Sequence, residues 1–319
     1  MKAGMTRIPG AELGSIVFIG VIAAAARMTG FDLLMFPEFG ALSNDIMKRP
    51  YGTWATAPVM LVITPLVTAV AGLWITDHLA FGVASVLLDV VVTMGVIELI
   101  QSPIAPGISA GLLPLVLQVH SWWYPPAITV GTGALAITGI VHRRFQPKPA
   151  VSLARDEVDD DLEKAAAKPV WLLPFALVLT ALAYLATWTG RHFLLYPPLV
   201  VIGFEMFAHP LVCPWADRPW HLPLACTLSA LIGVSLVTWL GAGVLAAMLS
   251  MAASVVTLRV LALRAPPVLA VGLLPMVLNS PDYSFAASVL VGTLILTISF
   301  RLWQATCLRF MGLHLPADR

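Results

Sequence analysis

Gly111-Leu112-Leu113-Pro114-Leu115-Val116-Leu117 is written twice in this chain, the second time as Gly272-Leu273-Leu274-Pro275-Met276-Val277-Leu278. The offset is 161 (275 − 114), and it holds without a gap. Trp54 meets Trp215, Pro58 meets Pro219, Gly72 meets Gly233, Gly82 meets Gly243, Pro106 meets Pro267, and Val130-Gly131-Thr132 meets Val291-Gly292-Thr293. Upstream the offset is 160 (197 − 37): Thr29-Gly30 pairs with Thr189-Gly190, Pro37 with Pro197 and Pro50 with Pro210. Chance apolar similarity does not keep Gly, Pro and Trp in register over so many positions. The pattern predicts a tandem duplication, roughly 13–145 and 173–303. The chain then divides into a first copy at 1–145, a polar linker at 146–169, a second copy at 170–303 and a tail at 304–319.

The residues are 59% hydrophobic and 11% charged, and the mean hydropathy is +0.90. A soluble domain carries about a quarter charged residues, so most of this surface is expected to face lipid. Apolar runs of helix-spanning length recur, about 15–22 residues each. They are continuous rather than alternating, which excludes a membrane β-barrel. The composition predicts an all-α polytopic membrane protein. A net charge of +1 with no basic patch among aromatics argues against nucleic acid. Cys213, Cys226 and Cys307 are odd in number and lack ligand spacing, so neither a metal nor a cofactor is expected. Residues 13–26 imitate a signal peptide, but the repeat matches them to the internal segment at 173–189, so retention is expected.

Six segments are predicted per copy. In the first they run at about 13–29, 31–47, 55–75, 79–100, 104–118 and 126–141. In the second they run at about 170–189, 193–208, 219–240, 241–263, 266–279 and 285–300. Asp77-His78 reads as a tight turn and Ser121-Trp122-Trp123-Tyr124 as an interfacial aromatic belt. Asp156-Glu157 and Asp159-Asp160-Asp161 lie in the polar linker and read as solvated. Segments 2 and 5 of each copy are short and interrupted by proline and glycine, so each either crosses as a broken helix or re-enters. With six crossings, Lys2, Arg7, Lys48, Arg49, Arg143, Arg144, Arg218, Arg264, Arg301 and Arg309 fall on one side, and Asp77, His78, His120, Arg191, His192 and Asp282 on the other. That asymmetry predicts cytoplasmic termini and linker, with the protein in a bacterial inner membrane. An even number of crossings makes the copies parallel, related by a pseudo-two-fold along the membrane normal.

Short broken segments at matching places in two repeats are a sequence pointer to a transport site. Helices restarting after Pro37, Pro106, Pro197-Pro198 and Pro266-Pro267 are expected to offer free N–H groups to an anion. Packed helices merely kinked by proline are the alternative. The expected path is lined by Pro106, Gly111, Pro267 and Gly272. At its mouth stand Asp45 with Arg49, and Glu205 with His209, at equivalent positions (45 + 160 = 205; 49 + 160 = 209). Each acid precedes its base by one helical turn. Glu98 and Arg259 are equivalent too (98 + 161 = 259) and opposite in charge, which suggests a structural pair across the pseudo-symmetry axis. Asp89 answers to Ser250 and Glu38 to Pro198, with no partner evident for either acid.

Tyr196-Pro197-Pro198-Leu199 through Phe207-Ala208-His209-Pro210, then Arg218-Pro219 and Ser229-Ala230-Leu231-Ile232-Gly233, resemble the HPP family of small integral membrane proteins. Ala265-Pro266-Pro267 through Leu274-Pro275 looks like that family's namesake element, and Phe36-Pro37, Gly40, Gly72, Ala105-Pro106 and Leu113-Pro114 follow more loosely. The resemblance implies a transporter, one chloroplast member of the family being associated with nitrite. The namesake His is missing, with Ala265 and Ile104 in its place. A transporter or channel for a small anion is thus the leading expectation, with the lipid bilayer and the anion as partners and a homo-oligomer left open. A structural or partner-binding membrane protein is the runner-up. A lipid-modifying enzyme comes last, because no cluster of nucleophile, base or metal ligands is evident.

Overall fold

The computed structural model describes residues 10–147, 169–210, 213–215 and 218–311, with side chains as far as Thr306. The aspartates of the linker lie outside the described residues. Every regular element described is helical. In chain order the α-helices are α1 (Gly10–Thr29), α2 (Phe39–Lys48), α3 (Thr53–Thr56), α4 (Pro58–His78), α5 (Val83–Leu99), α6 (Gly107–Leu117) and α7 (Tyr124–Arg144). They continue as α8 (Leu172–Thr189), α9 (Pro197–Ala208), α10 (His221–Leu240), α11 (Val244–Val260), α12 (Pro267–Leu273) and α13 (Tyr283–Met311). Six stretches, those of α1, α4, α7, α8, α10 and α13, are long and apolar enough to cross a membrane.

The short helices form the centre. Phe39–Met47 of α2, all of α9, Gly107–Val116 of α6 and all of α12 are buried. The longer helices surround them and turn apolar flanks outward, among them Val59, Trp74, Val91, Ile137 and Leu173. This is the arrangement a bilayer demands, since broken backbone survives there only when protein encloses it. Between the halves, α1 packs on α11 and α5 on α8, while α2 packs on α12 and α6 on α9; within the second half α9 also packs on α12. Within them, α4 packs on α6 and α7, and α10 on α12 and α13.

Hydrogen bonds fix the direction of the short segments. Lys48 Nζ lies 2.7 Å from Glu12 at the start of α1, whereas Phe31 N bonds Ala26 O at the other end of α1. The stretch 31–48 therefore travels the length of a 20-residue helix, about 30 Å. Likewise Trp54 Nε1 donates to Pro103 O at 3.0 Å, beside the start of α4. His120 and Trp122 meet the Asp77 carboxylate at its end, at 2.9 and 3.0 Å. Segment 5 thus also runs end to end. The C-terminal turns of α2 and α9 are held alike: His142 Nε2 meets Met47 O at 3.1 Å, and Trp303 Nε1 donates to Phe207 O at 3.3 Å.

Two local expectations fail. Asp77 and His78 finish α4 rather than turning, and the chain reverses at 79–82. Of the aromatic belt, Trp122 and Trp123 are exposed, but Tyr124 is buried because its hydroxyl donates to Ala110 O at 2.7 Å.

Candidate functional site

The helix starts that should have offered free N–H groups do not. Gly107 N and Ile108 N bond Ile104 O and Ala105 O at 3.0 Å each, ahead of α6. Val268 N bonds Ala265 O and Leu269 N bonds Pro266 O, also at 3.0 Å, ahead of α12. Phe39 N and Gly40 N bond Phe36 O and Pro37 O, and Leu199 N bonds Tyr196 O. A tight turn before each proline-led helix consumes the donors that a helix terminus otherwise leaves over. The donors so bonded are closed to an anion.

Pro106, Gly111, Pro267 and Gly272 are buried, as a path would require, but the glycines are filled by neighbours. A methyl on Gly72 would collide with the Gly111 carbonyl, and one on Gly233 with the Gly272 carbonyl. On the opposite sides, Gly111 presses against Thr93, and Gly272 against Ser254. Small residues here let backbones approach closely. They serve packing between α4 and α6 and between α10 and α12.

The charged residues gather where α1 begins. Arg49 Nε donates to Asp45 Oδ1 at 2.7 Å, both side chains nearly covered. In the second half Glu205 is buried and His209 half-buried, with His209 N bonding Glu205 O at 3.2 Å as Arg49 N bonds Asp45 O at 2.7 Å. The expected Glu98–Arg259 pair is absent. Arg259 bonds Glu12 through Nη2 and, at 3.3 Å, through Nε, and Lys48 completes the cluster. Glu98 is exposed at the end of α5. The reason is packing: α11 lies on α1 and α5 on α8, so equivalent helices do not face each other. The residue that stands to Glu98 as Glu12 stands to Arg259 is Leu172 (12 + 160).

The sequence reading gave least weight to Glu38 and Asp89, and these are the acids the structure buries deepest. Glu38 is 1% exposed and accepts a hydrogen bond from Ser109 Oγ at 2.6 Å through Oε1. Its Oε2 has no partner among the described residues. Asp89, mid-α5, is 0% exposed, and neither carboxylate oxygen has one. Asp89 Oδ1 is in van der Waals range of the Gly111 α-carbon's open side, 3.4 Å from where a Cβ would stand. The Tyr124 hydroxyl donates to Ala110 O at 2.7 Å, between them along α6. Three ionisable groups thus touch three successive residues of α6: Glu38 on Ser109, Tyr124 on Ala110, Asp89 beside Gly111. The signal available in sequence was the mid-segment position of Asp89, together with a neutral residue at each equivalent place.

Other buried polar atoms without a partner among the described residues include Asn44 Oδ1, Trp215 Nε1 and the hydroxyls of Ser43, Ser229, Ser254 and Thr297, the last four on α2, α10, α11 and α13. Unpaired groups in a core call for a water or a ligand to satisfy them. Compared with known proteins, the chain matches no family model, no curated protein and no solved structure.

Proposed function

We propose that this chain is a membrane transporter built from two parallel copies of one six-segment unit, and that it carries a small anion such as nitrite together with a proton. The observation that carries the reading is the centre of the molecule: four short helices led by proline, enclosed by longer apolar ones, among buried hydroxyls that lack partners. Interrupted helices inside a bilayer are costly to build, and transporters use them to bring polar groups to mid-membrane.

The duplication draws support from reciprocal packing. The contact of α1 with α11 has its counterpart in α8 with α5, and that of α2 with α12 in α9 with α6. A two-fold relation produces such exchanged pairs. The bonds His142 to Met47 and Trp303 to Phe207 also fall at equivalent positions (142 + 161 = 303; 47 + 160 = 207). The anion itself rests on the resemblance to the HPP family. The hydroxyls of Ser43, Ser229, Ser254 and Thr297 and the indole N–H of Trp215 are the neutral donors this reading offers it, and a neutral donor lets an anion bind and then leave. Arg49 and His209 raise the local anion concentration at one mouth. With positive charge gathered at that end, it and both termini are cytoplasmic in this reading, in a bacterial inner membrane.

The test is nitrite, nitrate and formate influx into proteoliposomes under an imposed pH gradient. Influx above empty liposomes is expected for at least one anion, rising as the outside is acidified. Influx equal to empty liposomes for all three at every pH overturns the proposal. Nitrous acid crosses bare lipid, so the empty-liposome control decides.

A further inference from the structure

We infer that Glu38 and Asp89, held against α6 in the first half alone, form a proton-binding site that the transport cycle loads and unloads. The coupling to transport rests on the reading above; the proton site does not.

A charge near the bilayer centre costs about 2.5–3.5 kcal/mol even on insertion scales, so it takes a partner, water or a proton. No partner is at hand for Asp89 among the described residues. The helices packed on α5 are α4, α6 and α8. Their ionisable residues are Asp77 and His78 at the far end of α4 and the exposed Tyr184 of α8; α6 has none. Around Glu38, α1 contributes Glu12 and Arg27 at its two ends. The neighbouring turn contributes the exposed Asp32, and α2 itself Asp45 and Lys48, near its C-terminus. On α7, His142, Arg143 and Arg144 lie at the end that holds Met47, and Tyr124 spends its proton on Ala110 O. Only Ser109 reaches the Glu38 carboxyl. With no cation beside either carboxyl among the described residues, the neutral, protonated form is the one this apolar setting favours.

The second half shows what a neutral version looks like. Glu38, Ser109, Asp89 and Tyr124 answer to Pro198, Ala270, Ser250 and Phe285. Ser250 Oγ donates to Gly272 O at 2.5 Å. Asp89 stands at the same place beside Gly111, and a carboxyl group can replace the serine's donor only when it carries a proton. Once ionised, it offers only acceptors at that place. At these four positions the first half carries groups that respond to pH and the second does not.

The experiment uses the full chain in liposomes, with Glu38→Gln, which keeps an acceptor for Ser109, and Asp89→Ser, which copies the second half. Infrared difference spectra between acid and alkaline buffer should show protonated-carboxyl bands in the wild type, reduced in each variant. Dicyclohexylcarbodiimide, which modifies protonated carboxyls in apolar surroundings, should label positions 38 and 89 but not Asp45 or Glu98. A gradient of one pH unit supplies a factor of about tenfold per proton. The wild type should accumulate anion toward that factor, and each variant should equilibrate it without accumulation while melting at an unchanged temperature. Missing bands and missing label in the wild type overturn the site, and so does undiminished gradient-driven accumulation in both variants. If the wild type moves no anion, the transport reading fails, and the spectra and labelling still decide the proton site.

Discussion

Glu12 is 3% exposed and takes two cations from two different helices, Lys48 of α2 and Arg259 of α11. A buried acid with its partners removed retains the desolvation penalty without the compensating attraction, so breaking the cluster from one side costs more than the pair is worth. Double-mutant cycles on thermal unfolding in detergent should therefore show Glu12→Gln and Arg259→Gln coupled by about 0.5–3 kcal/mol. Glu98→Gln, at an exposed position, should stay within about 0.5 kcal/mol of wild type and add independently to Arg259→Gln. A coupling of 98 with 259 and none of 12 with 259 would contradict the packing described. Asp45 and Arg49 show how the same chemistry reads in sequence: the spacing of one helical turn put them on one face, and they are bonded there.

At the scale of the elements, the repeated glycines decide how closely α4 meets α6 and α10 meets α12. Gly72→Ala and Gly272→Ala drive a methyl into backbone carbonyl or into the Ser254 side chain. Each should destabilise by about 1–3 kcal/mol, the ordinary cost of overpacking. Gly95→Ala on α5, with nothing within 4 Å, should instead be neutral or stabilise by up to about 1 kcal/mol. Differential scanning fluorimetry in one detergent separates the two outcomes. The helices and their order were legible in the sequence, because apolar runs and Gly and Pro breaks are local signals. The pairing of Arg259 was not, because an offset says which residues correspond and is silent on which helices touch. The closure of the helix N-termini was equally hidden, since it depends on the turn each chain segment makes before its proline. Asp89 and Glu38 were visible as acids in apolar runs; that both lie on α6 needed the fold.

At the scale of the molecule, one end carries Lys48, Arg49, His142, Arg143, Arg144, Arg259 and Arg301, and the other Arg27, Asp32, Asp77, His120, Arg191 and Asp282. Cysteines placed at Tyr51 and Ser121 should accordingly be labelled by an impermeant maleimide from opposite sides of intact cells, Ser121 from outside. Labelling of both from outside would mean that the stretch 31–48 does not cross the bilayer.

The mutual embrace of α2 and α12 also bears on how the protein is made. When α2 leaves the ribosome it is ten residues long, too short to span the bilayer unbroken, and it carries Ser43, Asn44 and Asp45 among its apolar residues. Its cover, α12, begins at Pro267, 219 residues later (267 − 48). Biogenesis therefore holds an unfinished first half in waiting, α2 sheltered by the insertion machinery or by α1, until the second half arrives. A chain stopped after residue 147 should be cleared by membrane proteases faster than the full chain in a pulse-chase experiment, and supplying 169–319 as a separate polypeptide should rescue it.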